Sequence, residues 1–455
     1  MTDYATRSFW LETAYEPGPP VGGDLDVDVA IIGGGFTGLW TAYFLKRAEP
    51  ALRVAVVERD VVGFGASGRN GGFAMTLFGR GLQDMVQAFG DEATRNAHRA
   101  AASAVDGIGA FASEHEVDCH YEKTGLLCLA SDASQVPRIE AEHRQAERLG
   151  LAGFDLLDRE AVRARVHSPT YECAVREESC AILDPARLVR GQRRVVTELG
   201  VQVFERTAVD AVRVEGKRVT VATPAGVLRA DQAVLAANAY SVQFPVIHRY
   251  VVPIYSYIVL TEPLSEQQWT EIGWEGREGL EDRRTFLHYY RRTQDGRILF
   301  GGEDAPYFYG SGIGPEHDRN PGVFARLRDD LRRTFPSLAG VRCTHEWGGP
   351  VGLTLRFVPT FGTLEGGRVH YGFGYCGHGV GPSHLGGQIL RDLVLGRRSE
   401  LVDLCFVRTA ALPFPPEPLR WAGLTLARQL LLRQDRQARP KEDPWVVRLI
   451  MRFNG

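Results

Sequence analysis

Residues 27–58 read VDVAIIGGGFTGLWTAYFLKRAEPALRVAVVE, and they restrict the chain more than any other stretch. Val27 to Ile32 is a short apolar run, suited to a strand buried on both faces. Phe36 to Ala48 has helical spacing, with Leu39, Tyr43 and Leu45 among its apolar positions. Arg53 to Glu58 is a second buried strand. The unit is βαβ, and its turn, Gly33-Gly34-Gly35-Phe36-Thr37-Gly38, is a GxGxxG. Gly33 permits the tight turn, Gly35 lets the main chain approach a pyrophosphate, and Gly38 lets helix and strand pack closely. The helix start offers free N–H groups and a positive dipole to phosphates. Glu58 closes the second strand with Arg59 beside it. A carboxylate there can accept hydrogen bonds from ribose hydroxyls. Strand, turn, helix, strand and acid together predict a dinucleotide site, where a bare glycine turn would predict only a tight corner.

The turn alone does not separate NAD from FAD. Residues 63–73, GFGASGRNGGF, do so, because five of the eleven are glycine. Glycine loses the most backbone freedom on folding. Such a loop, placed just after Glu58, returns towards the nucleotide and lets the main chain pass over a cofactor. Gly65, Ala66, Gly71 and Gly72 shape it. Ser67 and Asn70 can hydrogen-bond phosphates or ring edges, and Arg69 can oppose charge. A flavin, with its ribityl arm and large ring, needs such a second loop.

The βαβ unit, GFGASGRNGG and the late stretch YGFGYCGHGVGPSHLGGQIL together resemble the D-amino-acid oxidase family of FAD-dependent oxidoreductases. SFWLETAYEPGPPVGGDLDVDVAIIGGGFTGLW, HYYRRTQDGRILFGG and PFPPEPLRWAG are similar to the branch holding gamma-glutamylputrescine oxidases and proteins named as aminophosphonate oxidoreductases. The resemblance runs over about residues 8–430. It implies an α/β fold: a Rossmann-like FAD-binding domain with a discontinuous α+β substrate-binding domain. The FAD-binding part is expected in residues 27–105, 181–245 and 346–400. The substrate part is expected in 106–180 and 246–345, with 401–455 a C-terminal extension. The resemblance also implies that the Val209 main chain meets the adenine, and that Gly374, Gly377, His378, Gly379, Val380 and Gly381 meet the flavin.

The late motif has a reading of its own. Tyr371 to Tyr375 resembles a strand end, and a glycine-rich turn follows from Cys376. A helix is expected from about Ser383 to Leu395, with Ser383 as its N-cap. A reduced flavin is anionic at its N1/O2 edge, and N–H groups at a helix start suit that charge.

Substrate chemistry rests on the second lobe. Its aromatic residues include Tyr255, Tyr257, His288, Tyr289, Tyr290, Tyr307, Phe308 and Tyr309, with Trp347 at the junction. Aromatic faces attract ammonium groups. Tyr255 and Tyr257 share strand parity, as do His288 and Tyr290. Tyr255, Tyr257, Tyr290 and Trp347 are therefore expected in the pocket. Arg291 and Arg356 are the candidates to pair an anionic substrate group. The expected substrate is a small amine or amino acid. Hydride passes to flavin N5, the imine hydrolyses, and oxygen or another acceptor takes the electrons. His288 is the candidate base. No metal-ligand spacing or hydrolytic triad competes. An NAD(P)-dependent dehydrogenase and a non-catalytic nucleotide-binding or membrane-docking protein remain the alternatives.

A net charge of −3 over 455 residues provides no field for nucleic acid. The first twenty residues lack a basic start and an apolar run, and no stretch is long and apolar enough to span a bilayer. Seven scattered cysteines without CxxC suit reduced thiols and a cytoplasmic location. Some members of the resembled family tether the flavin through a Cys just before the late glycine motif; Trp347 to Gly362 holds neither Cys nor His, so the resemblance implies a non-covalent FAD. Leu419 to Ala438 reads as a basic amphipathic helix, open either to packing on the body or to peripheral membrane contact.

Overall fold

The computed structural model describes residues 4–364, 366–409 and 411–436. The last part of the C-terminal extension, including 437–438 of the expected tail helix, lies outside the described residues.

Two mixed sheets face each other. The first is organised by the Leu25–Ile32 strand, whose last four residues are all buried. It lies between Val54–Val57 and Gly226–Leu235, parallel to both, with Ile32 opposite Val57 and Leu235. The order across the sheet is Thr360–Thr363, Val369–Phe373, Gly226–Leu235, Leu25–Ile32, Val54–Val57 and Gln202–Phe204. Strands buried on both faces need helices on both sides. Phe36–Ala48 supplies one cover, and Val380–Val394 and Asp91–Glu114 pack upon it. The main chains nearly touch at Gly387, where an added Cβ would stand 2.4 Å from the Trp40 Cβ. Trp40 in turn meets Phe111 edge-on at 4.7 Å. Asp91–Glu114 thus belongs as one piece to the first layer. The boundary expected at residue 105 falls inside this helix, which a domain junction would break.

The second sheet has the order Cys343–Leu353, Val252–Thr261, Ile298–Gly302, His288–Arg292, Gly279–Asp282, Leu126–Ala130, Cys173–Glu177 and Phe154–Leu157. Cys343–Leu353 pairs along the whole of Val252–Thr261, so residues 346–353 sit in this sheet rather than with the flavin lobe. The sheet's outer face packs on helix Pro321–Thr334. Tyr255, Tyr257, Tyr290 and Phe300 share one core with Val323, Phe324, Leu327 and Leu331. The inner face looks towards the first sheet's turns. The helix Leu419–Arg436 lies on the surface with only Ala427 buried.

Candidate active site

A cavity of about 350 Å³ runs between the layers. One end is built by the turn after Leu25–Ile32. Gly33 holds φ +115°, and a Cβ there would stand 2.7 Å from the Ala236 carbonyl oxygen. Only glycine takes that turn without strain. Gly38 lies behind the wall, where a Cβ would be 2.0 Å from the Gly33 oxygen, so helix and strand close tightly there. Glu58 lines the cavity and accepts main-chain N–H bonds from Gly34 at 2.8 Å and Asp60 at 3.0 Å. Loss of hydration raises its pKa to about 7, although both N–H donors favour the charge. Val209 and Tyr240 complete this end, with the Arg59 guanidinium 4.9 Å from the Tyr240 ring centre.

The glycine-rich loop forms the middle of the wall through Gly65, Ala66, Ser67, Arg69, Asn70 and Gly71. Four side chains hold its carbonyl groups from outside. Ser8 Oγ donates to Gly68 O at 2.7 Å, and Trp347 Nε1 to Arg69 O at 2.8 Å. Trp10 Nε1 donates to Asn70 O at 2.9 Å, and Arg291 to Gly72 O at 3.0 Å. Gly72 itself lies behind the wall against the Leu183 carbonyl. Ser67 Oγ accepts the Phe36 N–H at 2.9 Å and so ties the loop to the first helix. Arg69 is committed to Asp318 at 2.9 Å rather than facing the cavity with a free charge.

The opposite wall is the late motif. Gly377, His378, Gly379 and Val380 line it, and Tyr375 Oη lies 2.7 Å from Thr37 Oγ1. The helix begins at Val380 with Gly379 as N-cap, one turn before the expected start. Pro382 fits a first turn because its missing N–H would have no partner there. Ser383 Oγ donates back to Val380 O at 2.8 Å, so it is not the cap. Gly374 and Gly381 pack behind the wall, against Thr354 and the Met75 carbonyl. Cys376 lines the cavity, and burial pushes its thiol up to about 11.

The far end is formed by the second sheet, and here the expected parity is reversed. Ile254, Ser256 and Ile258 alternate along the inner face of their strand, and Tyr289 occupies that face of its own strand. Tyr257 and Tyr290 point to the outer face and join the core against Pro321–Thr334. Aromatic character does not choose a face when both are buried. Tyr255 still borders the cavity, but its hydroxyl accepts the Gly314 N–H at 3.2 Å. Trp347 lines the cavity. Arg291 does not: its guanidinium is spent on the Gly72 and Leu183 carbonyls beneath the loop. Arg356 is also away from the wall, with its carbonyl accepting from Arg80.

His288 is not placed to take a proton from a substrate. It is 1% exposed on the outer face, 3.1 Å from Asp282, 3.2 Å from Asp330 and 3.5 Å from Glu303. Burial opposes its charge, but the carboxylates prevail and raise its pKa to about 10. It is an imidazolium counter-ion inside a buried acidic cluster.

The residues that the sequence reading missed at this end are Ser256, Glu281, Phe286 and Tyr289. Tyr289 Oη lies 3.0 Å from Ser256 Oγ. Period two along each strand carried this information, but it needed the opposite choice of face. The C-terminal helix closes over the same end. Arg428 binds Asp304 through two bonds of 2.6 and 2.5 Å, and Asp435 accepts the Thr285 and Phe286 N–H groups, each at 2.9 Å. Asp304, Thr285 and Phe286 all line the cavity.

Residues 28–393 match the family described as DAO: FAD dependent oxidoreductase. The chain belongs to this family. Gamma-glutamylputrescine oxidoreductase of Escherichia coli is 32% identical over 421 residues, 91% of this chain and 94% of that protein. A probable oxidoreductase OrdL of Rhizobium meliloti is 33% identical over 402 residues, 87% of this chain and 89% of its own length. The fold is similar to the crystal structure of glycine oxidase from Geobacillus kaustophilus, with a TM-score of 0.71 and 17% identity. That match covers 85% of this chain and all of the other. This member of the DAO family is an FAD-dependent oxidoreductase with two facing lobes. The cavity fits the cofactor: the turn at Gly33 and Gly35 carries no side chain, a carboxylate stands at the strand end, and a helix start opens opposite. Among the described residues no helix is long and apolar enough to cross a membrane.

Proposed function

We propose that this protein oxidises the carbon–nitrogen bond of a small amine or amino acid to an imine, which water then hydrolyses. The observation that carries the reading is the single cavity joining the dinucleotide turn to an aromatic and acidic chamber. FAD, when bound, supplies the acceptor for the hydride, and oxygen or another acceptor later removes the electrons.

The chain's part is to hold and to orient. Gly35 and Thr37 would receive the phosphates on main-chain N–H groups, while the Gly33 and Phe36 N–H groups are held by Val57 O and Ser67 Oγ and Gly38 sets the helix in place. Glu58 would accept the ribose hydroxyls, Arg59 would flank them, and the Val209 main chain would meet the adenine. Gly65 to Gly71 would cover the cofactor non-covalently, with Gly72 closing the loop behind them. Gly374 to Gly381 would set the helix dipole of Val380–Val394 towards the anionic edge of the reduced ring. Ser256, Tyr289, Tyr255 and Trp347 would exclude water from the chamber and shape it. Burial raises the Tyr289 hydroxyl to about 12, so it stays a neutral donor.

No histidine is assigned as base. The amine must arrive neutral, or lose its proton to water, because its lone pair stabilises the developing imine. The inward bonds of Arg428 and Asp435 support a C-terminal helix that packs on the body in preference to a membrane. The test is a substrate screen on the purified yellow protein, scored by anaerobic bleaching and then by return of colour in air. Bleaching by an amine is expected. Wild type that is colourless yet active, or a yellow protein that no amine or amino acid bleaches, overturns the reading.

A further inference from the structure

We infer that Glu281 and the aromatic rings beside it form a subsite for an ammonium group of the substrate, so that the preferred substrate is an amine carrying a second positive charge. This rests on the proposed amine oxidation. Glu281 is 3% exposed and borders the cavity. One of its oxygens takes the Arg283 guanidinium, and the other has no hydrogen-bond partner among the described residues. On a side chain so enclosed, the oxygen that keeps solvent contact does so through the cavity, where a ligand N–H can reach it.

The surrounding charge leaves the carboxylate unbalanced. Arg283 is shared, because it also binds both oxygens of Glu142, at 2.8 and 2.6 Å. One guanidinium between two carboxylates leaves a net charge of −1. Glu281 supplies the oxygen on the cavity side. The two arginines on the cavity wall do not offset it. Arg69 is held by Asp318, and Arg59 stands over Tyr240 at the nucleotide end.

The neighbours complete an ammonium site. Glu281 and Tyr289 are register partners on adjacent strands, so their side chains share the inner face. Phe73 meets Tyr289 edge-on at 5.9 Å and also lines the cavity. A carboxylate between aromatic faces attracts an alkylammonium by charge and by cation–π contact. The same place repels an α-carboxylate and offers it no cation.

The held nitrogen is not the one oxidised. A carboxylate favours the protonated form of an amine beside it, and a protonated nitrogen has no lone pair to assist hydride loss. Glu281 therefore binds the far ammonium and leaves the reacting amine in the aromatic part of the chamber.

A homologous series of α,ω-diamines is compared with n-alkylamines of equal length, for wild type and Glu281→Gln. In wild type the best diamine is expected to exceed its monoamine in kcat/KM by roughly tenfold to a hundredfold, mainly through KM. Glu281→Gln should erase that advantage, read as the ratio of diamine to monoamine kcat/KM within the variant itself, with its flavin content as the check on folding. A bis-quaternary ammonium, which has no lone pair, serves as a binding probe through its perturbation of the flavin spectrum. It should bind wild type and lose affinity in the variant. Equal use of diamines and monoamines by wild type, or a diamine preference that survives in Glu281→Gln, overturns the subsite while amine oxidation stands. If no amine is oxidised but the probe binds through Glu281, the subsite stands and the reaction assignment falls.

Discussion

The indole N–H of Trp347 donates to the main-chain carbonyl of Arg69 at 2.8 Å. One residue lies within the long pairing of the second sheet's edge strand, opposite Ile258, and the other lies in the glycine-rich loop of the first lobe. This bond therefore joins the two lobes at the point where the loop passes the cavity. Trp10 makes the same kind of bond to the next carbonyl, Asn70 O. Trp347→Phe keeps the ring and removes the donor. Loss of about 0.5–1.5 kcal/mol of loop restraint is expected, which weakens FAD by roughly twofold to tenfold. Fluorescence titration of the apoprotein with FAD measures it. An unchanged dissociation constant in the Trp10→Phe, Trp347→Phe double variant refutes the role.

Glu58 makes FAD affinity depend on pH. Its folded pKa, raised to about 7 by burial, lies above the ordinary 4.5. Its contribution to apoprotein stability is therefore full below pH 4.5 and lost as pH rises through 7. Cofactor binding reverses that preference, because the ionised carboxylate is the better acceptor for ribose hydroxyls. FAD should bind more weakly as pH falls from about 8 to 6, by at most roughly tenfold per unit. Glu58→Gln should flatten the profile, and Glu58→Ala should cost about 1.5–3 kcal/mol at the alkaline end. Parallel profiles for wild type and Glu58→Gln would exclude the carboxylate.

His288→Asn should damage the fold more than the chemistry. The folded pKa of about 10 lies above the free value of 6.5. The stabilisation is complete below pH 6.5 and fades as pH rises through 10. Removing a partner from a buried charged cluster costs roughly 3–5 kcal/mol. Urea unfolding should show the largest gap between variant and wild type near pH 6 and a small one near pH 10. Anaerobic flavin reduction in the folded fraction should keep its rate. A slowed rate with unchanged stability would return His288 to the reaction.

Arg428→Ala should raise KM for the amine severalfold with kcat and flavin content little changed. The side chain holds Asp304, and Asp435 on the same helix holds the Thr285–Phe286 main chain. Both segments border the chamber. Arg428→Lys keeps the charge and should recover part of the loss. Identical steady-state constants in all three proteins would show that the helix only covers the surface.

The flavin should leave with acid. Cys376 is the thiol on the cavity wall, and its pKa of about 11 keeps it protonated and unreactive at neutral pH. Trichloroacetic acid should give a white pellet and a yellow supernatant. Colour fixed in the washed pellet would contradict this.

The nucleotide half was legible because its residues answer to local geometry. Gly33 and Gly38 are required by a turn and a close packing that lie within a few positions of each other. The chamber was not legible, for a different reason. Tyr255, Tyr257 and Tyr290 are as apolar and as buried as any inward residue, because both faces of their sheet are covered. Period two then gives two equal answers, and only the helix at Pro321–Thr334 decides between them. Arg291 was a candidate for an anionic substrate group because a guanidinium pairs carboxylates and phosphonates with two parallel bonds. Its actual partners are two carbonyls far away in sequence. The late helix began a turn early because Gly379, not Ser383, takes the cap.

The walls of the cavity also set an order of events during synthesis. The Leu25–Ile32 strand has its parallel partner at Gly226–Leu235, and the helix that closes the opposite wall starts only at Val380. Nascent chains fold domain by domain as they emerge, but here neither lobe is continuous. The nucleotide turn leaves the ribosome long before the segment that builds the facing wall. A complete FAD site thus exists only once the chain through Val380–Val394 has been made and both lobes have met.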